Sequence, residues 1–104
     1  MKTIGTHNYF VYIVTNKNKT VLYNGVTNSL SARMQQHYES SLFSNPKSFA
    51  GKYNTYNLLY YERYEQITYA IQREKELKSW RRSRKDDLIN EHNPQWLFLN
   101  DELE

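Results

Sequence analysis

Cysteine is absent from the sequence, which excludes disulfide bridges and thiolate metal sites. Only three glycines occur, and the sequence contains no glycine-rich phosphate loop. No apolar run is long enough for a membrane span, and no signal-peptide pattern opens the chain. A Ser-His-Asp arrangement and a His or Cys metal spacing are also missing. These absences lead us to expect a cytoplasmic protein that is not associated with a membrane.

The length and the charge distribution indicate the number of domains and the kind of binding partner. With 104 residues, we expect a single domain over residues 1–104, with a core from about 8 to 96 and an acidic C-terminal tail. The net charge is only +3, but many of the basic residues cluster between residues 73 and 85. Such a cluster predicts a polyanion partner, whereas an ordinary solvated helix face is the alternative. The candidate nucleic-acid-binding residues are Arg73, Lys78, Arg81, Arg82, Arg84 and Lys85.

A β-hairpin is predicted near the start of the chain. Residues 10–14 and 21–23 are β-branched and aromatic runs, and residues 15–20 between them have turn composition. Gly25 is expected to end the second strand, where the missing side chain lets another backbone or a ligand come close.

The register of this hairpin decides which tyrosines meet. A symmetric two- or four-residue loop centred on Lys17 and Asn18 predicts that Tyr12 lies directly across from Tyr23. Both phenols would then share one face of the sheet at cross-strand contact distance.

A helix is expected to follow the hairpin directly. Asn28 or Ser29 can cap it, and it is predicted to run to about Tyr38. At 3.6 residues per turn, one face carries an apolar seam together with a cation and an imidazole. The residues of this face are Leu30, Arg33, Met34 and His37.

The remaining elements complete a small α/β fold. After a polar loop over residues 39–54, residues 56–64 predict a third strand that is apolar on both faces and therefore central. Helices are predicted over 66–82 and 83–92, and residues 96–99 are expected to pack back on the body. We therefore predict a central three-stranded antiparallel sheet flanked by helices, in the order β-β-α-β-α-α.

Glu74 is the most informative residue of the long helix. By helical spacing it falls within an apolar stripe, whereas Glu76 points to the opposite side. The stripe consists of Ile67, Ala70, Ile71 and Leu77. An isolated inward carboxylate costs on the order of several kcal/mol unless it is paired or binds a metal. The residues alone leave two interpretations open, an ion pair with an inward arginine such as Arg33 or a metal site.

In their order along the chain, these segments resemble the GIY-YIG nuclease superfamily, in particular its short stand-alone bacterial proteins. Residues 10–12 (FVY) stand at the first motif and residues 23–25 (YNG) at the second. Residues 70–80 (AIQREKELKSW) resemble the glutamate-bearing helix of the family. The resemblance covers roughly residues 8–96, and the polar Asn24 replaces an aliphatic residue at the centre of the second motif.

The resemblance implies metal-dependent hydrolysis of phosphodiester bonds in duplex or branched DNA. Glu74 would bind one Mg²⁺ or Mn²⁺, and Arg33 would contact the scissile phosphate. Tyr23 would take the proton from the attacking water, although a free phenol has a pKa near 10 and must be acidified or relay its proton. Tyr12 would position the water or the base, and His37 would relay the proton or orient its neighbours.

Two other functions remain open from the sequence. A catalytically inactive nucleic-acid-binding module of the same fold is suggested by Asn24 and by the small size. A structural or interaction protein that uses its aromatic surface is the third possibility. Metal-dependent cleavage of a plasmid would separate the first function from the other two, and salt-dependent binding without cleavage would separate the second from the third.

Overall fold

Three antiparallel strands and three α-helices make up residues 7–42 and 54–103, which the computed structural model describes. The strands are β1 (Tyr9–Thr15), β2 (Leu22–Thr27) and β3 (Asn57–Tyr64), and the helices are α1 (Leu30–Leu42), α2 (Ile67–Ser79) and α3 (Arg82–His92), followed by a 3₁₀ turn at Asn100–Glu102. The sheet order is β2-β1-β3, and both strand pairs are antiparallel. The predicted α/β fold and its element order β-β-α-β-α-α are confirmed.

The centre of the sheet is β1, so the prediction that β3 is central was wrong. Residues 11–15 of β1 are fully buried, because helices and chain segments cover both faces. The strand β3 lies at an edge, although its Leu58 and Leu59 are also fully buried on opposite faces. The edge position was hidden in the sequence because the C-terminal segment shields this edge, where Leu99 N donates to Leu58 O at 2.8 Å.

Two apolar layers hold the helices on the sheet. The layer on the α1 face of the sheet contains Tyr12, Val14, Leu30, Met34 and Leu58. The layer on the α2 face has two parts, which are Val11, Ala70 and Leu77, and next to them Ile13, Leu59, Tyr60 and Ile89. Alternate residues of β1 thus supply both layers, as the two-residue period of a strand requires.

The hairpin register differs from the prediction by two residues. Tyr12 pairs with Gly25, and Tyr23 pairs with Val14, so the two tyrosines are diagonal neighbours rather than directly opposed. They still share the α1 face, because positions 23 and 25 of one strand point to the same side. The second strand also continues to Thr27 and does not end at Gly25.

The side chain of Asn16 explains this register. Its Oδ1 accepts the backbone N–H groups of Thr20 at 2.8 Å and Val21 at 3.1 Å, and its Nδ2 donates to Thr20 Oγ1 at 2.7 Å. Lys19 adopts φ 59° and donates its N–H to Asn16 O at 3.0 Å. These bonds close a longer loop than the one assumed from composition, and its centre lies one residue later.

The helix α1 begins as predicted but ends later. Ser29 caps α1, since its Oγ accepts the N–H of Ala32 at 3.3 Å, and the helix runs to Leu42, past the predicted end at Tyr38. The first residues of the predicted 39–54 loop are therefore helical, and residues 43–53 lie outside the described part of the chain.

The long helix predicted over residues 66–82 stops at Ser79. Trp80 and Arg81 have extended backbone angles, and α3 starts at Arg82. Beyond this break the Trp80 ring packs beside Val11 and Leu77.

Some predicted core residues are on the surface. In α2, Ala70 and Leu77 are buried, but Ile67 and Ile71 are exposed, because only a narrow seam of the helix touches the sheet. In the C-terminal segment, Trp96 and Leu99 pack on the core, whereas Leu97 and Phe98 are exposed; this part of the prediction was wrong.

Candidate active site

The phenol of Tyr12 crosses the neighbouring strand at Gly25. A Cβ atom built on Gly25 would lie 2.6 Å from the hydroxyl oxygen of Tyr12 and 2.8 Å from its Cζ. Any side chain at position 25 would therefore collide with this ring, which explains the glycine. The close approach expected at Gly25 is confirmed, and the group that approaches is the Tyr12 side chain, not another backbone or a ligand.

His37 and Arg33 surround the Tyr12 hydroxyl. The oxygen of Tyr12 lies 3.0 Å from His37 Nε2, and the two rings meet edge to face with centroids 5.8 Å apart. Arg33 also forms a hydrogen bond to the phenol. Because residues 33 and 37 are one helical turn apart on α1, the helix presents both groups to the same point of the sheet.

The pKa shifts of this cluster establish its protonation. Burial raises the pKa of Tyr12 to about 12, although the charge and hydrogen bond of Arg33 act in the opposite direction. Burial lowers the pKa of His37 to about 4, and the charge of Arg33 adds to this shift. At neutral pH the imidazole is therefore uncharged and the phenol is protonated. The Tyr12 hydroxyl and His37 Nε2 share a hydrogen bond of 3.0 Å, in which the tautomer of the neutral imidazole sets the donor.

Tyr23 lies beside this cluster at its more open side. Its ring meets the His37 ring edge to face at a centroid distance of 6.1 Å. Tyr23 is partly buried, whereas Tyr12 is fully buried. Of the two phenols on the α1 face, Tyr23 is therefore the one that solvent and a substrate can reach.

Glu74 approaches from the other face of the sheet. Its side chain is only 12% exposed, and its Oε2 accepts a hydrogen bond from Asn24 Nδ2 at 3.0 Å and forms an ion pair with Lys78 Nζ at 3.3 Å. Within the described residues, Glu74 pairs with Lys78 and not with the Arg33 considered from the sequence. The Glu74 charge contributes to the raised pKa of Tyr12, which places the carboxylate within electrostatic reach of the phenols. The exposed Glu76 pairs with Arg73 instead, as its outward position predicted.

The five predicted catalytic and metal-binding residues therefore meet at the β2 edge from two sides. Tyr12, Tyr23, Arg33 and His37 lie on the α1 face, and Glu74 lies on the α2 face. The strand β2 has β1 on only one side within the described sheet, so it forms an edge of that sheet. The site is thus an edge of the sheet between α1 and α2.

Two further residues of this site were not recognised from the sequence as partners of Glu74. Asn24 points to the α2 face, where it contacts Glu74, and its Oδ1 accepts a hydrogen bond from Lys85 Nζ at 3.2 Å. Burial lowers the pKa of Lys85, although the nearby Glu74 charge acts in the opposite direction. One signal in the sequence could have indicated this contact. Asn24 is a polar residue on a strand, and the face of that strand packs against α2, the helix that carries the inward Glu74.

The donor set at Glu74 fits a hard divalent cation. A carboxylate oxygen is a ligand that Mg²⁺ and Mn²⁺ prefer. In residues 7–42 and 54–103, no three His, Asp or Glu side chains form a group that could hold a metal ion. A cation here would therefore depend on Glu74 as its protein ligand and keep most of its water ligands.

Two of the basic residues predicted to bind nucleic acid are held by groups of the protein. Arg73 binds Glu62 through Nε at 2.9 Å and Glu76 through a second nitrogen at 2.5 Å. Arg82 donates to the carbonyl oxygens of Thr20 at 2.9 Å and Lys19 at 3.1 Å, and so ties α3 to the hairpin loop.

The other predicted basic residues lie on the surface of α2 and α3 or near it. Lys78 and Lys85 flank Glu74, and Arg81 is exposed in the link between the helices. Arg84 stacks over the Trp80 ring at 4.1 Å from its centroid, which leaves the edge of the guanidinium available for hydrogen bonds. These four residues form the positive surface of α2, α3 and their link, and Lys78 and Lys85 lie next to Glu74.

The comparisons with known proteins define the class. The model of the GIY-YIG catalytic domain matches residues 8–87, which include both tyrosine motifs and Glu74. No curated protein and no solved structure gives a significant match. No helix in the described part of the chain is long and apolar enough to cross a membrane.

The matched family is one of nucleases, which act on nucleic acid. The chain belongs to the GIY-YIG family. This family and the fold agree with the resemblance found in the sequence.

Proposed function

We propose that this protein is a divalent-metal-dependent endonuclease that hydrolyses phosphodiester bonds in DNA. The observation that carries the proposal is the meeting of two tyrosines, Arg33 and His37 with Glu74 at one sheet edge. The catalytic-domain match covers all five of these residues.

The reaction requires three actions at the phosphate. A water oxygen attacks phosphorus and loses a proton, the bond from phosphorus to the leaving oxygen breaks, and that oxygen gains a proton. Tyr23, the accessible phenol, takes the proton from the attacking water. Arg33 extends its guanidinium to the phosphate oxygens, where charge develops.

Tyr12 and His37 hold these groups in place. The phenol of Tyr12 is fixed between His37 Nε2 and Arg33, so it orients the guanidinium beside Tyr23. His37, whose Nε2 lies 3.0 Å from the Tyr12 hydroxyl, would orient this phenol or relay a proton for the tyrosine base.

Glu74 would hold the Mg²⁺ or Mn²⁺ ion. When bound, this ion supplies positive charge that stabilises the phosphate and the leaving oxygen. Lys78, Arg81, Arg84 and Lys85, the residues of the positive surface, would bind the DNA backbone through its phosphates.

A second candidate function is an inactive nucleic-acid-binding module of the same fold. It is favoured by the two contacts at Glu74 Oε2, because Asn24 and Lys78 already compensate the carboxylate without a metal. In that case the positive surface would bind nucleic acid and no bond would break.

The deciding experiment incubates the purified protein with branched, nicked and linear duplex DNA, with and without Mn²⁺. Cleavage that requires Mn²⁺ and disappears with EDTA supports the nuclease. Salt-dependent binding with no cleavage of any of the three substrates supports the binding module instead. Absence of both binding and cleavage contradicts both functions.

A further inference from the structure

Both the nitrogen and the oxygen of the Asn24 side-chain amide form hydrogen bonds. Its Nδ2 donates to Glu74 Oε2 at 3.0 Å and to the backbone oxygen of Glu74 at 3.3 Å. Its Oδ1 accepts a hydrogen bond from Lys85 Nζ at 3.2 Å. Only this orientation of the amide places the donor toward the carboxylate and the acceptor toward the ammonium.

The position of Asn24 makes these bonds structurally expensive to lose. The residue is only 3% exposed and lies on the edge strand, where an aliphatic side chain would satisfy packing. A buried amide is tolerated only when its donor and acceptor are bonded. The bonds to Glu74 and Lys85 provide this compensation, and they join β2 to α2 and α3 at one point.

We propose that Asn24 is a positioning residue that holds the Glu74 carboxylate in the orientation needed to bind a divalent cation and keeps the Lys85 ammonium beside it. This inference rests on the proposed function, in which Glu74 holds the cation. It assigns to the departure from the second motif a role that an aliphatic residue could not perform.

The other partner of the Glu74 carboxylate holds it only weakly, so the orientation of this carboxylate depends on Asn24. The other partner of Oε2 is Lys78, whose side chain is 62% exposed and is held in a single i,i+4 pair. Exposed pairs of this kind contribute little and are screened by salt. Asn24, in contrast, is held rigidly by its strand and contacts Glu74 at two atoms.

The test measures Mn²⁺ binding directly, by the electron paramagnetic resonance signal of free Mn²⁺ in a titration without DNA. Wild type and Glu74→Gln define the binding that depends on Glu74. Asn24→Val removes the amide and keeps a side chain suited to a strand. Asn24→Thr has nearly the same shape as valine but retains a hydroxyl donor, so it is the matched control.

We expect Asn24→Val to weaken the Glu74-dependent affinity for Mn²⁺ by about 10–100-fold, the usual effect of removing a hydrogen-bond partner of a metal ligand. Asn24→Thr should bind Mn²⁺ more tightly than Asn24→Val. Melting temperatures establish that both variants are folded, and Asn24→Leu replaces the valine variant if that variant is not.

The outcomes separate this inference from the function on which it rests. If wild type and Glu74→Gln bind Mn²⁺ equally, Glu74 is not the metal ligand, and both proposals are wrong. If Glu74-dependent binding is present but unchanged in Asn24→Val, only the positioning role is wrong. If the valine and threonine variants are weakened equally, packing explains the loss, and the positioning role is again wrong.

Discussion

Two half-buried glutamates of this molecule have similar exposure but very different surroundings. The Glu62 side chain is 16% exposed and that of Glu74 is 12% exposed. Both oxygens of Glu62 are used, since Oε1 accepts from Tyr64 and Arg73, and Oε2 accepts from Tyr60 and Arg73. On Glu74, both Asn24 and Lys78 bind the same oxygen, Oε2.

The difference teaches that burial alone does not mark a functional carboxylate. Burial opposes the ionisation of Glu62, but hydrogen bonds from Arg73, Tyr60 and Tyr64 outweigh it and hold its pKa below the ordinary value. The same cluster raises the pKa of Tyr64 to about 12, mainly through burial and the bond to Glu62. Both oxygens of Glu62 are thus bound by neighbouring side chains, whereas the two side-chain partners of Glu74 in the described residues share Oε2.

The strongest test of this comparison is the removal of the Glu74 charge. Glu74→Gln should abolish cleavage, because the cation loses its protein ligand, while binding of DNA stays near that of wild type. The measurements are cleavage with Mg²⁺ and a binding titration of the same DNA. Glu76→Gln is the matched control on the exposed side of α2 and should cut DNA. Normal cleavage by Glu74→Gln would show that the two glutamates do not differ as proposed.

Tyr23→Phe should have the next largest effect. General-base catalysis typically contributes about 10²–10⁴-fold, so the single-turnover rate of cleavage should fall by roughly that factor. The ring is retained, and stability should change by at most about 1–2 kcal/mol. Tyr12→Phe is the control and should cost less, because Tyr12 only orients its neighbours. A Tyr23→Phe variant that melts normally and still cuts like wild type would make His37 the first candidate for the base.

Glu62→Gln should affect stability instead of chemistry. Removing one partner of a fully buried ion pair costs about 3–5 kcal/mol, and we expect roughly 2–4 kcal/mol here because Glu62 and Arg73 are slightly exposed. Urea unfolding measures this loss, and the folded variant should cut DNA at a normal rate. Loss of cleavage at full folding would place Glu62 in the site and remove the contrast with Glu74.

The lowered pKa of His37 predicts a pH dependence of stability. The pKa of His37 is lowered from 6.5 to about 4 by burial and by Arg33, so between these values the unfolded chain binds a proton that the folded protein does not. Stability should therefore fall as the pH decreases from 6.5 to 4, with no contribution from His37 above this window. Urea midpoints across the window should decline less steeply for His37→Gln than for wild type. Parallel curves would show that His37 titrates normally.

The basic residues provide the smallest and most quantitative test. Arg81 is exposed, so Arg81→Gln should reduce the slope of log affinity against log salt by about 0.9 on duplex DNA. Arg73→Gln is the matched control, because Arg73 is already bound to Glu62 and Glu76, and its slope should equal that of wild type. Equal slopes for wild type and Arg81→Gln would identify Arg81 as an ordinary solvated residue.

Much of the fold could be predicted because its signals are local. The β-branched and aromatic run in residues 10–14, the cap at Ser29 and the inward position of Glu74 are each read from neighbouring residues of one element. The catalytic-domain match over residues 8–87 agrees with the motifs recognised in the sequence. The roles of the individual site residues stay predictions that the experiments above address.

The sequence by itself thus determined the type and order of the elements and the set of residues offered for the site. Only the tertiary structure decided the hairpin register, which depends on hydrogen bonds from Asn16 that close a longer loop. It also decided that Asn24 meets Glu74 and Lys85, which are 50 and 61 residues away. The physical reason is that periodicity shows which way a side chain points within its own element, whereas its partner is set by how separate elements pack.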